Sequence, residues 1–162
     1  MKVFENSQWI WWNKQAKNDE FAEFYDAFFV ENIESVICHI SVDSDYALYM
    51  NGKYVASNQY GDFSYYKVYD RLDITPFLQK GKNHFAVVAW HFGGASQRYA
   101  PAPAGLIFEI VQEGRMLNAG ATSAWETLDG ASAFDNAGSL CHGWSALPIL
   151  YFKQLGILKE ET

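Results

Sequence analysis

An Asn-Gly dipeptide at positions 51 and 52 is the feature that most constrains how this chain can fold. It stands between alternating apolar residues, in a segment that spans residues 46–56. A two-residue type I′ turn needs positive φ at both central positions, and Asn followed by Gly adopts that geometry at little cost. The segment therefore predicts a β-hairpin.

A second turn-bearing segment leads from the hairpin into a long apolar strand at residues 85–92. Asp73 and Thr75 are suited to capping a short helical turn that begins at Pro76, since Pro is tolerated at the first helical position. Gly81 would end that turn with positive φ. We interpret this motif as structural rather than ligand-binding.

Further segments also predict strands. Residues 35–42 alternate in character with a period of two, which is typical of a strand. Residues 21–30 are ambiguous because their aromatic spacing fits a helical face while their aromatic density favours a strand, which we prefer. Shorter strands are predicted at residues 9–12, 106–111 and 116–125, a tight turn at 112–115, and loops at 93–105 and 129–143, while residues 144–152 are expected to close the fold.

Many short strands at regular spacing predict an all-β fold with little helix, a jelly-roll β-sandwich. The length of 162 residues fits one domain, placed at residues 1–155, with residues 156–162 as a tail or linker. Hydrophobic residues make up 49% of the chain, which excludes a disordered protein.

The charge of the chain limits its partners. The formal net charge is −7 and no cluster of Lys or Arg occurs, which argues against binding to nucleic acid or to an anionic membrane. Neutral and cationic ligands stay open. No apolar run is long enough to span a membrane and no signal peptide is apparent, so we expect a cytoplasmic protein.

The two cysteines, Cys38 and Cys141, lie far apart in the sequence and show no CxxC spacing. A disulfide between them is one alternative. Two reduced thiols are favoured, because a free buried Cys behaves as a small hydrophobic residue.

Several of these motifs together resemble a known family. The Asn-Gly-Lys hairpin at residues 51–53, the Asp-Ile-Thr at 73–75, the Gly-Lys-Asn at 81–83 and the strand end at 90–93 resemble the galactose-binding-like jelly roll of many glycoside hydrolases. The closer resemblance is to the N-terminal β-domain of bacterial α-L-rhamnosidases. It covers nearly the whole chain and implies an accessory domain of a larger glycosidase.

Catalytic machinery is not expected in this chain. Glycoside hydrolysis needs two carboxylates on either side of the bond, and the candidates are Asp62, Asp70, Asp73 and Glu109. Asp70 and Asp73 belong to the turn motif, and Glu109 is expected to face solvent from a strand. The resemblance implies that the catalytic domain is a separate helical barrel, which this chain cannot contain.

Metal and cofactor signals are weak. The four histidines, which show no HxH or HxxxH spacing, are His39, His84, His91 and His142. We interpret His39 and His84 as structural residues of strands. No cofactor is predicted, although Asp62 could contribute to a calcium site of the kind found in some sugar-binding jelly rolls.

Sugar binding is the chemistry that the residue types suit best, because a sugar needs a stacking aromatic ring and planar hydrogen-bonding groups. Residues 90–99 provide both, and the aromatic segment at 60–66 would join them if the loops converge. Packing inside the sandwich, with Arg98 paired to an acid, is the favoured alternative for the same residues. The candidate ligand-binding residues are Trp90, His91, Gln97, Arg98, Tyr99, Tyr60, Asp62 and Tyr65.

Two functions follow from this reasoning. One is a non-catalytic carbohydrate-binding domain, which would hold a rhamnose-containing or related glycan near the catalytic domain of a larger glycosidase. The other is a structural docking domain that packs on its catalytic partner without binding sugar. Exposed aromatics near Trp90, Tyr99 and Tyr65 would favour the first, and a large exposed apolar patch would favour the second.

Overall fold

The computed structural model describes residues 3–12, 15–59, 61, 63, 65–119, 133–134 and 140–144, the last two ranges by their backbone pairing alone. Within these ranges the chain forms ten strands and one 3₁₀ turn. They are β1 (Glu20–Val30), β2 (Val36–Asp43), β3 (Asp45–Met50), β4 (Lys53–Asn58), β5 (Asp70–Asp73), the 3₁₀ turn (Thr75–Phe77), β6 (Gly81–His91), β7 (Gly105–Gln112), β8 (Arg115–Ala119), β9 (Ala133–Phe134) and β10 (Leu140–Trp144).

The strands form two antiparallel sheets that pack face to face. One sheet has six strands in the order β4-β3-β6-β1-β10-β9, and the other has four in the order β5-β2-β7-β8. Phe85 of β6 meets Phe108 of β7 across the interface, with ring centroids 5.0 Å apart and the rings nearly perpendicular. The predicted all-β sandwich is therefore confirmed, while the jelly-roll connectivity stays a prediction.

The core between the sheets is built from residues at alternate positions along the strands, which face inward. Its largest fully buried apolar side chains include Phe24, Leu48, Phe85, Ile40 and Ile110. Each such side chain contributes about 1.5–3 kcal/mol through burial, so the two sheets need no disulfide to hold them together. Cys38, which lies in this core, is a free thiol whose pKa is raised to about 12 by burial. The side chain of Cys141 is not among the parts of the chain that the structure describes.

The hairpin predicted from Asn-Gly is present as β3 and β4. Asn51 has φ of 51° and Gly52 has φ of 79°, the two positive values that a type I′ turn requires. The side chain of Asn51 then reaches out of the turn, donating from Nδ2 to the carbonyl of Phe77 at 2.9 Å and accepting at Oδ1 from the His84 N–H at 2.9 Å. The hairpin turn is thus tied to the 3₁₀ turn and to β6.

Asn83 completes this connection from inside the sandwich. Its buried Oδ1 accepts from Asn51 Nδ2 and from the Gln79 N–H, each at 2.8 Å. Its Nδ2 donates to the carbonyls of Gln79 at 2.7 Å and Gly81 at 3.0 Å. The side-chain amide of Asn83 therefore accepts two hydrogen bonds and donates two, so its polar atoms are satisfied although they are buried. The Asn-Gly and Gly-x-Asn motifs together tie the hairpin turn to the start of β6.

The predicted helical turn is a 3₁₀ turn with Pro76 in its first positions, but its ends differ from the expectation. Ile74 caps it without a side-chain hydrogen bond, and Leu78 ends it. Asp73 Oδ1 accepts from the Thr75 N–H at 3.0 Å, whereas the Thr75 hydroxyl accepts from Val36 N–H of β2 at 2.9 Å. Gly81 has positive φ, as predicted, yet it begins β6 rather than ending the turn.

Other segment predictions have mixed outcomes. The ambiguous residues 21–30 form β1, as preferred. Residues 9–12 are not a strand, since only Ile10 forms a bridge, with Leu106. Residues 129–143 are not simply a loop, because Ala133–Phe134 and Leu140–Trp144 are strands that extend the six-stranded sheet beside β1. The rest of that segment, residues 120–132 and residues 145–162 lie outside the described structure.

The N-terminal segment covers the outer face of the four-stranded sheet. Glu109, which was expected to face solvent, is buried there because its Oε1 accepts from Asn6 N–H at 2.6 Å and from the Ser7 hydroxyl at 3.1 Å. Gly105 allows Trp9 to approach, since a Cβ at that position would lie 2.7 Å from the indole ring. The described part of the chain contains no helix long and apolar enough to cross a membrane.

Candidate functional site

One end of the six-stranded sheet carries a groove on its outer face. Trp90 on β6 is paired in register with Asp45 on β3 and with Phe21 on β1. Directly opposed residues of antiparallel strands project their side chains to the same face, about 5 Å apart. An acid, an indole and a phenyl ring therefore stand side by side across three adjacent strands.

The groove has a volume of about 410 Å³. The Trp90 ring is held in place on two sides, because its indole N–H donates to Asp19 Oδ1 at 2.8 Å and it stacks on Phe21 at 6.2 Å between centroids. These contacts orient the indole before any ligand arrives, which lowers the entropy cost of binding. The groove is lined by Asp19, Phe21, Asp45, Tyr46, Ala47, Val88 and Trp90.

Asp45 is the polar group of this groove that lacks a partner. Its Oδ1 is inaccessible to solvent and has no hydrogen-bond partner in the structure. Burial raises the pKa of this carboxyl to about 6, so the group is mostly ionised at neutral pH. An unsatisfied buried acceptor is costly, and a ligand that donates a hydrogen bond to the accessible side of the half-buried carboxylate would offset part of that cost.

Glu23 is a second carboxyl on the same face of the sheet. It follows Phe21 by two residues on β1 and is paired with Val88. Its side chain is only 1% exposed, and its Oε1 also lacks a partner. Burial raises its pKa to about 8, so Glu23 holds its proton at neutral pH.

We expect Glu23 to make the protein less stable as the pH rises. In the unfolded chain the carboxyl loses its proton near its ordinary pKa of 4.5, whereas the folded protein retains it to about pH 8. The folded state thus binds more protons in this window, and the free energy of unfolding should fall by about 2 kcal/mol between pH 6 and pH 8. Urea unfolding at pH 6, 7 and 8 measures this decline.

Glu23→Gln should remove most of the decline, while Glu34→Gln, at an exposed loop position, should leave it unchanged. Equal pH slopes for the wild type and Glu23→Gln would contradict the assignment.

Asp43 is the centre of a second polar cluster, which lies inside the sandwich at the same end as the groove. Asp43 Oδ1 accepts from His91 Nδ1 at 2.8 Å and from the Tyr99 hydroxyl at 2.6 Å, and Oδ2 pairs with Lys67 Nζ at 2.7 Å. Burial raises the pKa of Asp43, but the hydrogen bonds from His91, Lys67 and Tyr99 outweigh burial and hold it below its ordinary value. We call these four residues the Asp43 network.

The residues predicted from the sequence are therefore divided among several places. Trp90 lines the outer-face groove, whereas His91 and Tyr99 are buried in the Asp43 network. Gln97 and Arg98 are exposed in the loop that follows β6. Trp90 and His91 are adjacent at the end of β6, and their side chains point to opposite faces of the sheet.

The segment after β4 does approach the loop after β6, as the sequence reasoning required. A Cβ on Gly61 would lie 2.5 Å from the carbonyl oxygen of Arg98, so the two backbones are in direct contact. Tyr60 and Asp62, on either side of Gly61, lie outside the described residues.

Tyr65 belongs to a different groove from Trp90. It is 85% exposed and stacks on Phe63, with ring centroids 5.4 Å apart. It borders a groove of about 350 Å³ whose other aromatic lining residues are Phe4, Trp9 and Tyr69. Tyr65 and Trp90 therefore do not act on one ligand through a shared groove.

Sequence reasoning missed Asp45, Phe21 and Asp19. Strand alternation does indicate that Asp45 faces away from the core, since Tyr46, Leu48 and Met50 face into it. It does not indicate which residues of other strands stand beside Asp45, because register is a property of the assembled sheet.

Two further histidines, His39 and His84, pack against tyrosine rings. His84 stacks on Tyr25 and contacts its hydroxyl, and His39 packs edge-on against Tyr69. Both lie in strands, as predicted. Across the residues described by the structure, no group of three or more His, Cys, Asp or Glu side chains could hold a metal ion.

Comparison with solved structures finds similar folds within parts of larger proteins. The chain is similar to the GH78 family rhamnosidase of Bacillus sp. GL1. The match covers 76% of the present chain, with 32% identity and a TM-score of 0.70. The predicted resemblance to α-L-rhamnosidases is confirmed. This rhamnosidase-like domain spans only 13% of the Bacillus enzyme, so it corresponds to a small part of such a protein.

Two further α-L-rhamnosidases share the fold at lower identity. The enzyme of Aspergillus terreus matches 88% of the chain with 18% identity and a TM-score of 0.57, and the rhamnosidase-like domain spans 22% of it. The enzyme of Streptomyces avermitilis, in complex with L-rhamnose, matches 88% of the chain with 18% identity and a TM-score of 0.52, and the domain spans 12% of it. No protein-family model and no curated protein matches the sequence.

Proposed function

We propose that this chain is a non-catalytic carbohydrate-binding domain of an α-L-rhamnosidase-like glycoside hydrolase. The observation that carries the proposal is the row of Asp45, Trp90 and Phe21 along one groove. The similarity to part of the Bacillus rhamnosidase supports the wider context of a larger glycosidase.

The chemistry of the groove suits a sugar ring. A pyranose has an apolar C–H face, which packs on an aromatic ring, and a rim of hydroxyl donors. The half-buried Trp90 offers the aromatic surface, and Ala47 and Val88 extend it with apolar contacts. The half-buried Asp45 offers a carboxylate, whose Oδ1 has no partner in the structure. Both halves of a sugar site are therefore present within one groove.

The benefit to the parent enzyme would be a higher local concentration of substrate. A module tethered to a catalytic domain keeps its glycan within reach of the active site, which raises the effective concentration without any new catalytic contact. A rhamnose-containing glycan is the first ligand to test, since the Streptomyces avermitilis rhamnosidase of the same fold was captured with L-rhamnose.

The test is a titration of the protein with L-rhamnose and D-galactose, with and without calcium, followed by NMR shifts of the indole and backbone amides. The Trp90 indole signal and the amides of β3 near Asp45 should move and saturate. Trp90→Ala should weaken the binding by about thirtyfold, because truncation of an aromatic anchor costs about 2 kcal/mol.

Tyr65→Ala is the matched control, because it removes an exposed aromatic ring from the other groove and should leave binding unchanged. Thermal unfolding of both variants shows whether the fold is intact. If neither sugar at millimolar concentration moves a signal in the wild type, or if Trp90→Ala binds as tightly as the wild type, the proposal fails.

A docking domain without sugar binding is the second candidate, and one observation favours it. The segment that precedes β5 exposes apolar side chains that are each at least 44% accessible: Phe63, Tyr65, Tyr66, Val68 and Tyr69. Such a patch is typical of a contact surface. A complex with the catalytic part that is lost in Tyr65→Ser, combined with no response to sugar, would support this function instead.

A further inference from the structure

We infer that the groove beside Trp90 selects its sugar by charge, taking an amino sugar whose ammonium group pairs with Asp45 in preference to neutral sugars, and rejecting uronic acids. This inference rests on the proposed function, since it concerns the ligand class of the same groove.

The charges around the groove have a single sign. Two of its seven lining residues, Asp19 and Asp45, have carboxyl groups, and none of the described residues that line it is cationic. Glu23, on the same face, is protonated at neutral pH and adds no charge of either sign. A ligand carboxylate would meet only like charge there and would find no cation to pair with, which disfavours uronic acids.

Asp45 gains more from a cation than from a neutral donor. Its Oδ1 is shielded from water and lacks a hydrogen-bond partner, so its negative charge is poorly solvated in the free protein. Hydrogen bonds between an ammonium group and a carboxylate are about twice as strong as neutral ones. An ammonium group beside Asp45 would also keep the carboxyl ionised.

Trp90 adds to the same preference. The π face of indole is the best aromatic surface for a cation, and the ring is already held by its N–H bond to Asp19 and by its stacking on Phe21. Asp45 and Trp90 are directly paired across β3 and β6, so one ammonium group can contact both.

The experiment compares methyl glycosides that differ in charge at one position: glucosamine, glucose, N-acetylglucosamine and glucuronate, titrated at pH 7 and low salt by NMR and calorimetry. We expect glucosamine to bind about tenfold more tightly than glucose and N-acetylglucosamine, and glucuronate to show no saturable binding. The preference for glucosamine should shrink as salt is raised, because screening weakens charge pairing.

Asp45→Asn is the discriminating variant, since it keeps the shape of the side chain and removes its charge. It should bind glucosamine and glucose equally, while Glu34→Gln, which changes the net charge by the same amount at an exposed loop, should retain the tenfold preference.

Equal binding of glucosamine and glucose by the wild type would overturn the inference and leave the proposed function intact. Absence of binding by every sugar in both titrations would overturn the proposed function, and the inference with it. If Asp45→Asn does not fold, the salt dependence of the wild type decides the inference.

Discussion

Replacement of Asp43 by Ala should lower the free energy of unfolding by about 3–5 kcal/mol. The carboxylate is buried and accepts hydrogen bonds from His91, Tyr99 and Lys67, and from the neighbouring Ser44 hydroxyl at 3.3 Å. His91 and Tyr99 are themselves buried, so their donors would lose their partner in a place that water hardly reaches. Urea unfolding followed by circular dichroism measures the loss.

The Asp43 network explains why this one residue matters to several elements. Asp43 ends β2, His91 ends β6, Tyr99 lies in the following loop, and Lys67 precedes β5. Removal of the carboxylate would therefore release a loop and two strand ends together. Asp73→Ala is the control, since it removes an exposed carboxylate whose hydrogen bonds go only to nearby Thr75, and its effect on stability should be much smaller than that of Asp43→Ala.

The same network predicts sensitivity to acid. The pKa of Asp43 is held below its ordinary value, so its contribution to stability is present at neutral pH and is lost as the pH falls through the acidic range. The difference in stability between the wild type and Asp43→Ala should therefore shrink below about pH 4. A difference that stays constant down to pH 3 would mean that the Asp43 charge does not contribute.

Replacement of Asn83 by Ala should cost about 3 kcal/mol of unfolding free energy. The fully buried side-chain amide makes four hydrogen bonds, so its removal leaves the Gln79 N–H and two carbonyls without their partner. It also releases Asn51, whose amide ties the hairpin turn to this site. Chemical denaturation of the variant measures the effect.

Asn58→Ala is the matched control for Asn83→Ala. Asn58 is exposed and donates a single bond, to Asp70 Oδ1 at 3.0 Å, so its loss should cost less than about 0.5 kcal/mol. Asn83→Asp retains the acceptor and loses the two donated bonds, and it should be intermediate or as damaging as Ala. If Asn83→Ala were as mild as Asn58→Ala, the two Asn motifs would not form the structural unit described above.

Local chemistry made a large part of this fold predictable. The Asn51-Gly52 turn was recognised because positive φ at two successive residues is a property of the dipeptide itself. The hairpin at Glu113 and Gly114 and the alternation of β2 were recognised for similar reasons. The strands β9 and β10 were missed, because the composition of residues 129–143 favours a loop and only pairing with β1 makes part of it a strand.

The candidate site was predictable only in part. Trp90 was chosen as a candidate from its residue type and its place at a strand end; it lines the groove, and its role in binding stays a prediction. Asp45 and Phe21 were not, because they belong to other strands and become its neighbours through the register of the sheet. Glu109 was misjudged since alternation alone assigns it to an outer face, while the N-terminal segment covers that face.

The sequence by itself thus determined the class of the fold, the position of its main turns and the family resemblance, because each depends on residues close together in the chain. Only the tertiary structure decided that Asp45, Trp90 and Phe21 share a groove and that Asp43 gathers His91, Tyr99 and Lys67. The physical reason is that a strand places successive side chains on opposite faces, while the partners on each face come from distant strands whose register is set by packing of the whole sandwich.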